Sequence, residues 1–124
     1  MTDKISANGD ATSQRFMNEL PQAPLERRAK LFRGLGDHSR LLILDALCAN
    51  DLTVGEIVER TGLSQSNASN HLQCLGECGL VTSEREGRFA RYRLADPQVA
   101  ELLERADALL DAVAIGVESC LNYR

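Results

Sequence analysis

Over most of this 124-residue chain the apolar positions recur at helical spacing, and between Leu80 and Leu94 they alternate instead. Leu25, Ala29, Phe32 and Leu35 lie near one face of a helix that Gly36 closes. Asp37 is a good N-cap for the next segment, His38 to Ala49. Its run Leu41-Leu42-Ile43-Leu44 continues through Ala46, Leu47 and Cys48 and predicts a buried central helix. Thr53-Val54-Gly55-Glu56 has capping-box spacing and opens a short helix that stops at Thr61-Gly62. Ser64 caps a further helix running to about Cys78, with Gly79 just past its end. Two short helices joined by a tight glycine-containing turn, the second opening on small polar residues, form a helix-turn-helix pattern.

Alternation then takes over. Leu80 to Arg85 and Phe89 to Leu94 read as strands joined at Glu86-Gly87-Arg88, with Ala90, Tyr92 and Leu94 facing inward and Arg91 and Arg93 outward. A hairpin directly after a recognition helix is the wing of a winged helix. Asp96-Pro97 supplies an N-cap with Pro at the first helical position, opening a helix to about Val117. Along it Val99, Leu102, Leu103, Ala106, Leu109, Leu110, Val113 and Val117 fall at steps of three and four. That stripe is longer than one small domain needs, so from Leu102 onward it predicts a two-fold dimer contact. The expected fold is mainly α with a β-hairpin wing, a homodimeric winged helix-turn-helix.

Composition narrows the class. With 44% hydrophobic residues, only five aromatics and no Trp, the core must be built from Leu, Ile, Val and Ala. One domain is expected over residues 14–120, after a polar, disordered leader at 1–13 and before a tail at 121–124. Gln14 to Leu20 reads as a short helix that Pro21 and Pro24 interrupt. No apolar run reaches the ~20 residues of a membrane span, and the leader lacks the pattern of a signal peptide. A cytoplasmic protein with reduced thiols is therefore expected.

The net charge of −4 would argue against a nucleic-acid partner if it were spread evenly. It is not. Leu25 to Arg40 carries net +3 and Glu84 to Arg93 net +2, whereas Ala95 to Ser119 carries net −5. Local sign is what steers a polyanion. Ser64, Gln65, Ser66, Asn67, Ser69, Asn70 and His71 offer hydrogen bonds to phosphates and base edges. Arg85, Arg88 and Arg91 on the wing are placed for phosphates or the minor groove. Two histidines and no nucleophile paired with a base leave little for an enzyme, and no small-molecule substrate is expected.

At ~100° per residue, Ala68, Leu72, Leu75 and Gly79 share one stripe of the recognition helix, its packing face. Asn67, Asn70, Cys74 and Cys78 share another, roughly 100° away, which puts both thiols on the polar side. Thiolates at i and i+4 can chelate one ion with little rearrangement, and soft sulfur selects Cd, Pb, Hg, Zn or Cu(I) over Mg or Ca. Cys48, ending an apolar helix, reads as a small core residue. A thiol redox switch on the same scaffold stays open as an alternative.

The run Gly62-Leu63-Ser64-Gln65-Ser66-Asn67-Ala68-Ser69-Asn70-His71-Leu72, followed by Leu75, Gly79-Leu80-Val81, Glu86-Gly87-Arg88 and Arg91-Tyr92, resembles the ArsR/SmtB family of metal-responsive repressors. Leu35-Gly36-Asp37-His38-Ser39-Arg40 stands where that family usually has Ala-Asp-Pro-Thr-Arg, with His38 in place of the Pro. The arsenic-type Cys-Val-Cys is absent, since Asp51-Leu52-Thr53-Val54-Gly55 occupies that stretch. The zinc-type ligands of the last helix are missing too, because no His follows His71. What matches is the cadmium/lead-sensing, CmtR-type pattern: His71-Leu72, Cys74-Leu75, Cys78-Gly79-Leu80, and Cys120 near the C-terminus. The resemblance implies a three-thiolate site made of Cys74 and Cys78 from one protomer and Cys120 from the other, with His71 on the DNA side. It implies a repressor that leaves double-stranded operator DNA on binding Cd2+ or Pb2+, with Zn2+, Hg2+ or As(III) as other effectors and no organic cofactor.

Overall fold

A computed structural model describes residues 24–122. The expected disordered leader and the short helix over Gln14 to Leu20 lie outside the described residues, as do Tyr123 and Arg124. The chain divides into two compact units between Asp37 and His38. In the first, helix α1 (Pro24–Leu35) has Glu26 in its first turn and Arg33 in its last, which complements the helix dipole. Its end is closed by the Gly36 N–H donating to the Phe32 carbonyl at 2.8 Å.

The second unit runs α2 (His38–Ala49), β1 (Leu52–Thr53), α3 (Val54–Thr61), α4 (Gln65–Glu77), β2 (Val81–Glu86), β3 (Phe89–Leu94) and α5 (Pro97–Ser119). Helices α2, α3 and α4 pack on one another. Their core is Ile43, Leu44 and Leu47 of α2, Ile57 of α3, and Ala68, Leu72 and Leu75 of α4, closed by Leu52, Val81 and Val99. Each of the large side chains contributes roughly 1.5–3 kcal/mol by leaving water. In α2, expected as a buried central helix, Ile43, Leu44 and Leu47 are buried and Leu41, Leu42 and Ala46 half-buried. Cys48 is exposed, not a core residue. It sits at the helix end and is turned roughly 90° from the line through Ile43, Leu44 and Leu47.

The caps form where the side chains foretell them. The Thr53 backbone N–H donates to Glu56 Oε1 at 2.9 Å, and the Glu56 N–H donates to Thr53 Oγ1 at 3.3 Å. Gly62 ends α3 at φ 78°, a left-handed conformation that suits glycine. Ser64 accepts from the Asn67 N–H at 3.1 Å to start α4. At the far end the Leu80 N–H reaches the Leu75 carbonyl at 2.9 Å while Gly79 takes φ 81°. Asp96 caps α5 through the Gln98 N–H at 2.8 Å.

The sheet has three strands, not the two expected, in the order β1-β3-β2. The extra strand pairs Leu52 with Tyr92 and Thr53 with Arg91. Strand β2 starts one residue later than expected and extends through Glu86, which faces Phe89, so Gly87 and Arg88 form the turn. Thr53 thus serves both as the last residue of β1 and as the cap of α3. Thr53→Ala should cost about 1 kcal/mol in denaturant unfolding. Glu56 adds a pH signature. The bond from the Thr53 backbone N–H, and then the charge of Arg91, hold its carboxyl below the ordinary range. Its contribution is therefore complete above the unfolded value and is lost as pH falls through the lower folded one. Glu56→Gln should remove that acid-side slope from a stability-against-pH profile.

Candidate nucleic-acid interface and thiol site

Helix α4 has two faces. Ala68, Leu72 and Leu75 are buried, and Ser64, Gln65, Ser66, Asn67, Ser69 and Asn70 ahead of and along it are exposed, with His71 half-buried. The polar set expected to meet DNA therefore lies around the solvent side of α4, held from behind by three side chains at 1% exposure or less. Gly79 does not belong to the packing stripe assigned to it; it is exposed beyond the helix end, in the left-handed conformation that ends α4. Ser64 already uses its hydroxyl as the helix cap, which fixes where the first turn begins.

The four wing arginines differ. Arg85 and Arg88 are exposed and form no ion pair among the described residues. Arg91, expected to face outward, is half-buried: its Nε donates to Glu86 Oε1 at 2.9 Å and its Nη1 to the Asp51 carbonyl at 3.1 Å. Nη1 also lies 3.5 Å from Glu56 Oε1. Arg93 pairs with Glu84 at 2.7 Å and Asp51 at 3.5 Å. The hydrogen bond and charge of Glu86 push the Arg91 pKa up further, so it stays cationic. Sequence reasoning missed these ion pairs: Glu84 and Glu86 meet the arginines across the hairpin, and Asp51 and the capping-box Glu56 reach them only where β1 joins the sheet.

All four cysteines carry thiols, with no disulfide between them. Cys74 is half-buried on α4, and Cys78 is exposed as its C-cap, with its N–H donating to the Cys74 carbonyl at 3.0 Å. One closed helical turn therefore separates two sulfur donors on the outer surface. Cys120 is half-buried and caps α5, its N–H donating to the Val117 carbonyl at 3.2 Å. Among the described residues of a single chain, no three His, Cys, Asp or Glu side chains are close enough to hold a metal ion. The donor pair of Cys74 and Cys78, one helical turn apart, suits a soft cation in chemistry. Cys48 is a different thiol: surrounding protein, then Asp45 and Glu104, push its pKa up and disfavour the thiolate.

On α5, Val99 is buried and Leu102 and Leu103 are half-buried, after which the apolar stripe emerges into solvent. Ala106 is exposed, and Leu109, Leu110, Val113 and Val117 are 62%, 42%, 41% and 41% exposed. No helix among the described residues is long and apolar enough to cross a membrane.

A helix-turn-helix with a polar reading face and a basic-tipped hairpin defines a winged-helix DNA-binding regulator. Residues 37–83 match the model of the bacterial regulatory protein, arsR family. The chain is 37% identical over 102 residues to a Streptomyces lividans protein named as a probable mercury resistance operon repressor, covering 82% of each. It is 47% identical over 75 residues to the Mycobacterium tuberculosis HTH-type transcriptional regulator CmtR, covering 60% of this chain and 64% of that one. The solution structure of the cadmium metal-sensor CmtR from M. tuberculosis superposes with TM-score 0.55 at 45% identity, covering 62% of this chain and 80% of that one. A homodimeric winged helix-turn-helix DNA-binding domain from Mycobacterium bovis superposes with TM-score 0.67 at 30% identity, covering 86% and 91%. The chain belongs to the ArsR family of transcriptional regulators, DNA-binding proteins and not enzymes.

Proposed function

We propose that the chain is a homodimeric repressor that binds operator DNA in its metal-free form and releases it when a soft metal ion is bound. Cadmium or lead is the foremost effector, with mercury, zinc and arsenite as the other thiolate-seeking candidates. Cys74 and Cys78 would hold the ion together with Cys120 of the partner subunit. The observation that carries this reading is the pair of thiols one turn apart at the end of α4, the helix whose beginning presents Ser64 to His71. The relatives named as a cadmium sensor and a mercury operon repressor point to the same class of effector.

In this reading Gln65, Ser66, Asn67, Ser69, Asn70 and His71 meet base edges and phosphates, and Arg85 and Arg88 meet the backbone beside them. Leu102, Leu103, Ala106, Leu109, Leu110, Val113 and Val117 join two copies, so that two reading helices meet a palindromic site. The bound ion supplies a soft cross-link between α4 and the partner subunit. Because α4 is rigidly seated through Ala68, Leu72 and Leu75, a displacement of its C-terminal end is transmitted to its polar face. Coupling of this kind is typically ~1–3 kcal/mol and acts both ways.

The test is an ultraviolet titration of reduced protein with Cd2+, Pb2+, Hg2+ and Zn2+, alone and with a duplex selected from a random library by the metal-free protein. Thiolate absorbance should grow with cadmium or lead, and bound duplex should weaken metal binding by the factor by which metal weakens duplex binding. Release by peroxide with no response to any metal would make the protein a thiol redox switch. Duplex binding indifferent to both would leave a regulator without a thiol sensor.

A further inference from the structure

The wing holds two kinds of arginine, and the division cuts across the expectation that Arg85, Arg88 and Arg91 all face DNA. Arg85 and Arg88 are exposed and form no ion pair among the described residues. Arg91 and Arg93 point their guanidinium groups into a cluster of Glu86, Glu84, Glu56 and Asp51. Four carboxylates face these two guanidinium groups, with the charge of Arg60 also acting on Glu56, so Arg91 and Arg93 are already neutralised and draw a phosphate less than Arg85 and Arg88 do.

Arg91 is the node. It lies on the middle strand, opposite Thr53 on one side and Glu84 on the other. Its Nε holds Glu86 at the tip end of β2, while its Nη1 holds the Asp51 carbonyl and approaches Glu56. Glu56 Oε1 is the same oxygen that accepts the Thr53 N–H in the capping box of α3. A planar fork spanning three separate acceptors fixes the angle between hairpin and helix more tightly than one pair could. We propose that Arg91 is a positioning residue that braces the wing against the start of the helix-turn-helix, so that Arg85 and Arg88 carry the phosphate contacts. This rests on the DNA-binding reading above.

The experiment measures duplex affinity across salt concentrations for the full chain and four variants. Arg88→Ala removes one phosphate contact from each protomer of the dimer and should lower the slope of log K against log[salt] by about 1.8. Arg91→Ala should weaken binding by about two- to fivefold, the scale of an exposed ion-pair network, while keeping the wild-type slope. Arg91→Lys keeps the charge but cannot span the fork, and should weaken binding as Arg91→Ala does. Glu86→Gln should also weaken it, although removing a negative charge near phosphates would by itself tighten binding. A slope reduced by about 1.8 for Arg91→Ala, wild-type affinity for Arg91→Lys, or tighter binding by Glu86→Gln would each overturn the brace. Thermal unfolding provides a readout without DNA: the losses from Arg91→Ala and Glu86→Gln should sum to more than the loss in the double variant. Additive losses overturn the brace. A chain that keeps this coupling but binds no duplex upholds the brace and sinks only the DNA-binding reading.

Discussion

Cys74→Ser is expected to bind operator DNA as the wild type does and to ignore cadmium and lead. The hydroxyl is close to isosteric with the thiol, and Cys74 is only half-buried, so the fold should lose about 1 kcal/mol at most. The polar face of α4 and its buried anchors Ala68, Leu72 and Leu75 are untouched, which preserves duplex affinity. Chelation is another matter. A serine oxygen is a hard donor that does not ionise near neutral pH, and it leaves a two-thiolate site. Metal affinity should fall by more than the ~10–100-fold that loss of an outer hydrogen-bond partner costs. The ultraviolet thiolate band should shrink, and the roughly 5–150-fold weakening of duplex affinity by metal should vanish. Cys78→Ser and Cys120→Ser should behave alike, because in the proposed site one ion is held by all three sulfurs. Cys48→Ser should respond as wild type, since its thiol lies on α2 with its ionisation disfavoured by partial burial and then by Asp45 and Glu104. Cadmium releasing Cys74→Ser from DNA at wild-type concentrations would eliminate the thiolate site.

Local chemistry made much of this fold legible before any coordinates. The capping box of Thr53 and Glu56, the Ser64 cap, Gly62 and Gly79 at left-handed positions, and Asp96-Pro97 each specify backbone through bonds within a few residues. Those signals place the helix-turn-helix and the wing to within a residue or two. What escaped depends on distant partners. Strand β1 is two residues long and has no periodicity of its own; it exists because Leu52 is buried and Tyr92 offers an edge to pair with. Arg91 alternates with inward residues and so reads as outward, yet the Asp51 carbonyl just before β1 and the carboxylates of Glu56 on α3 and Glu86 on β2 draw it in. Cys48 follows an apolar run, but a helix end turned off the core line leaves it in solvent.

The thiol site divides the same way. Spacing alone places Cys74 and Cys78 on one side of a helix, and the structure keeps them off the buried face. Nothing in helical periodicity says whether Cys120 serves its own chain or another, because the answer depends on symmetry. Within one chain the described donors do not gather into a three-ligand group. If the proposed three-thiolate site is right, sensing and dimerisation are a single question.

Leu110→Glu addresses it, and should yield a folded monomer that binds duplex about 10²–10⁴-fold more weakly. Leu110 is 42% exposed in the single chain, so a charge there does little harm to the monomer core. In a two-fold contact the same substitution occurs on both sides and buries two like charges without partners. Leaving a charge unpaired in such a place costs about 3–5 kcal/mol, enough to dissociate a small helical interface. Affinity then falls because two half-site contacts lose their linkage. Ile115→Glu is the control. It is 82% exposed, and at ~100° per residue it lies roughly opposite the stripe formed by Leu109, Leu110, Val113 and Val117. That variant should remain dimeric and bind as wild type. Sedimentation equilibrium with a duplex titration decides between the faces. A dimeric Leu110→Glu beside a monomeric Ile115→Glu would move the interface to the other side of α5. With Leu110→Glu monomeric, cadmium should also bind more weakly even though all four cysteines are present, because Cys120 of the partner subunit is no longer within reach.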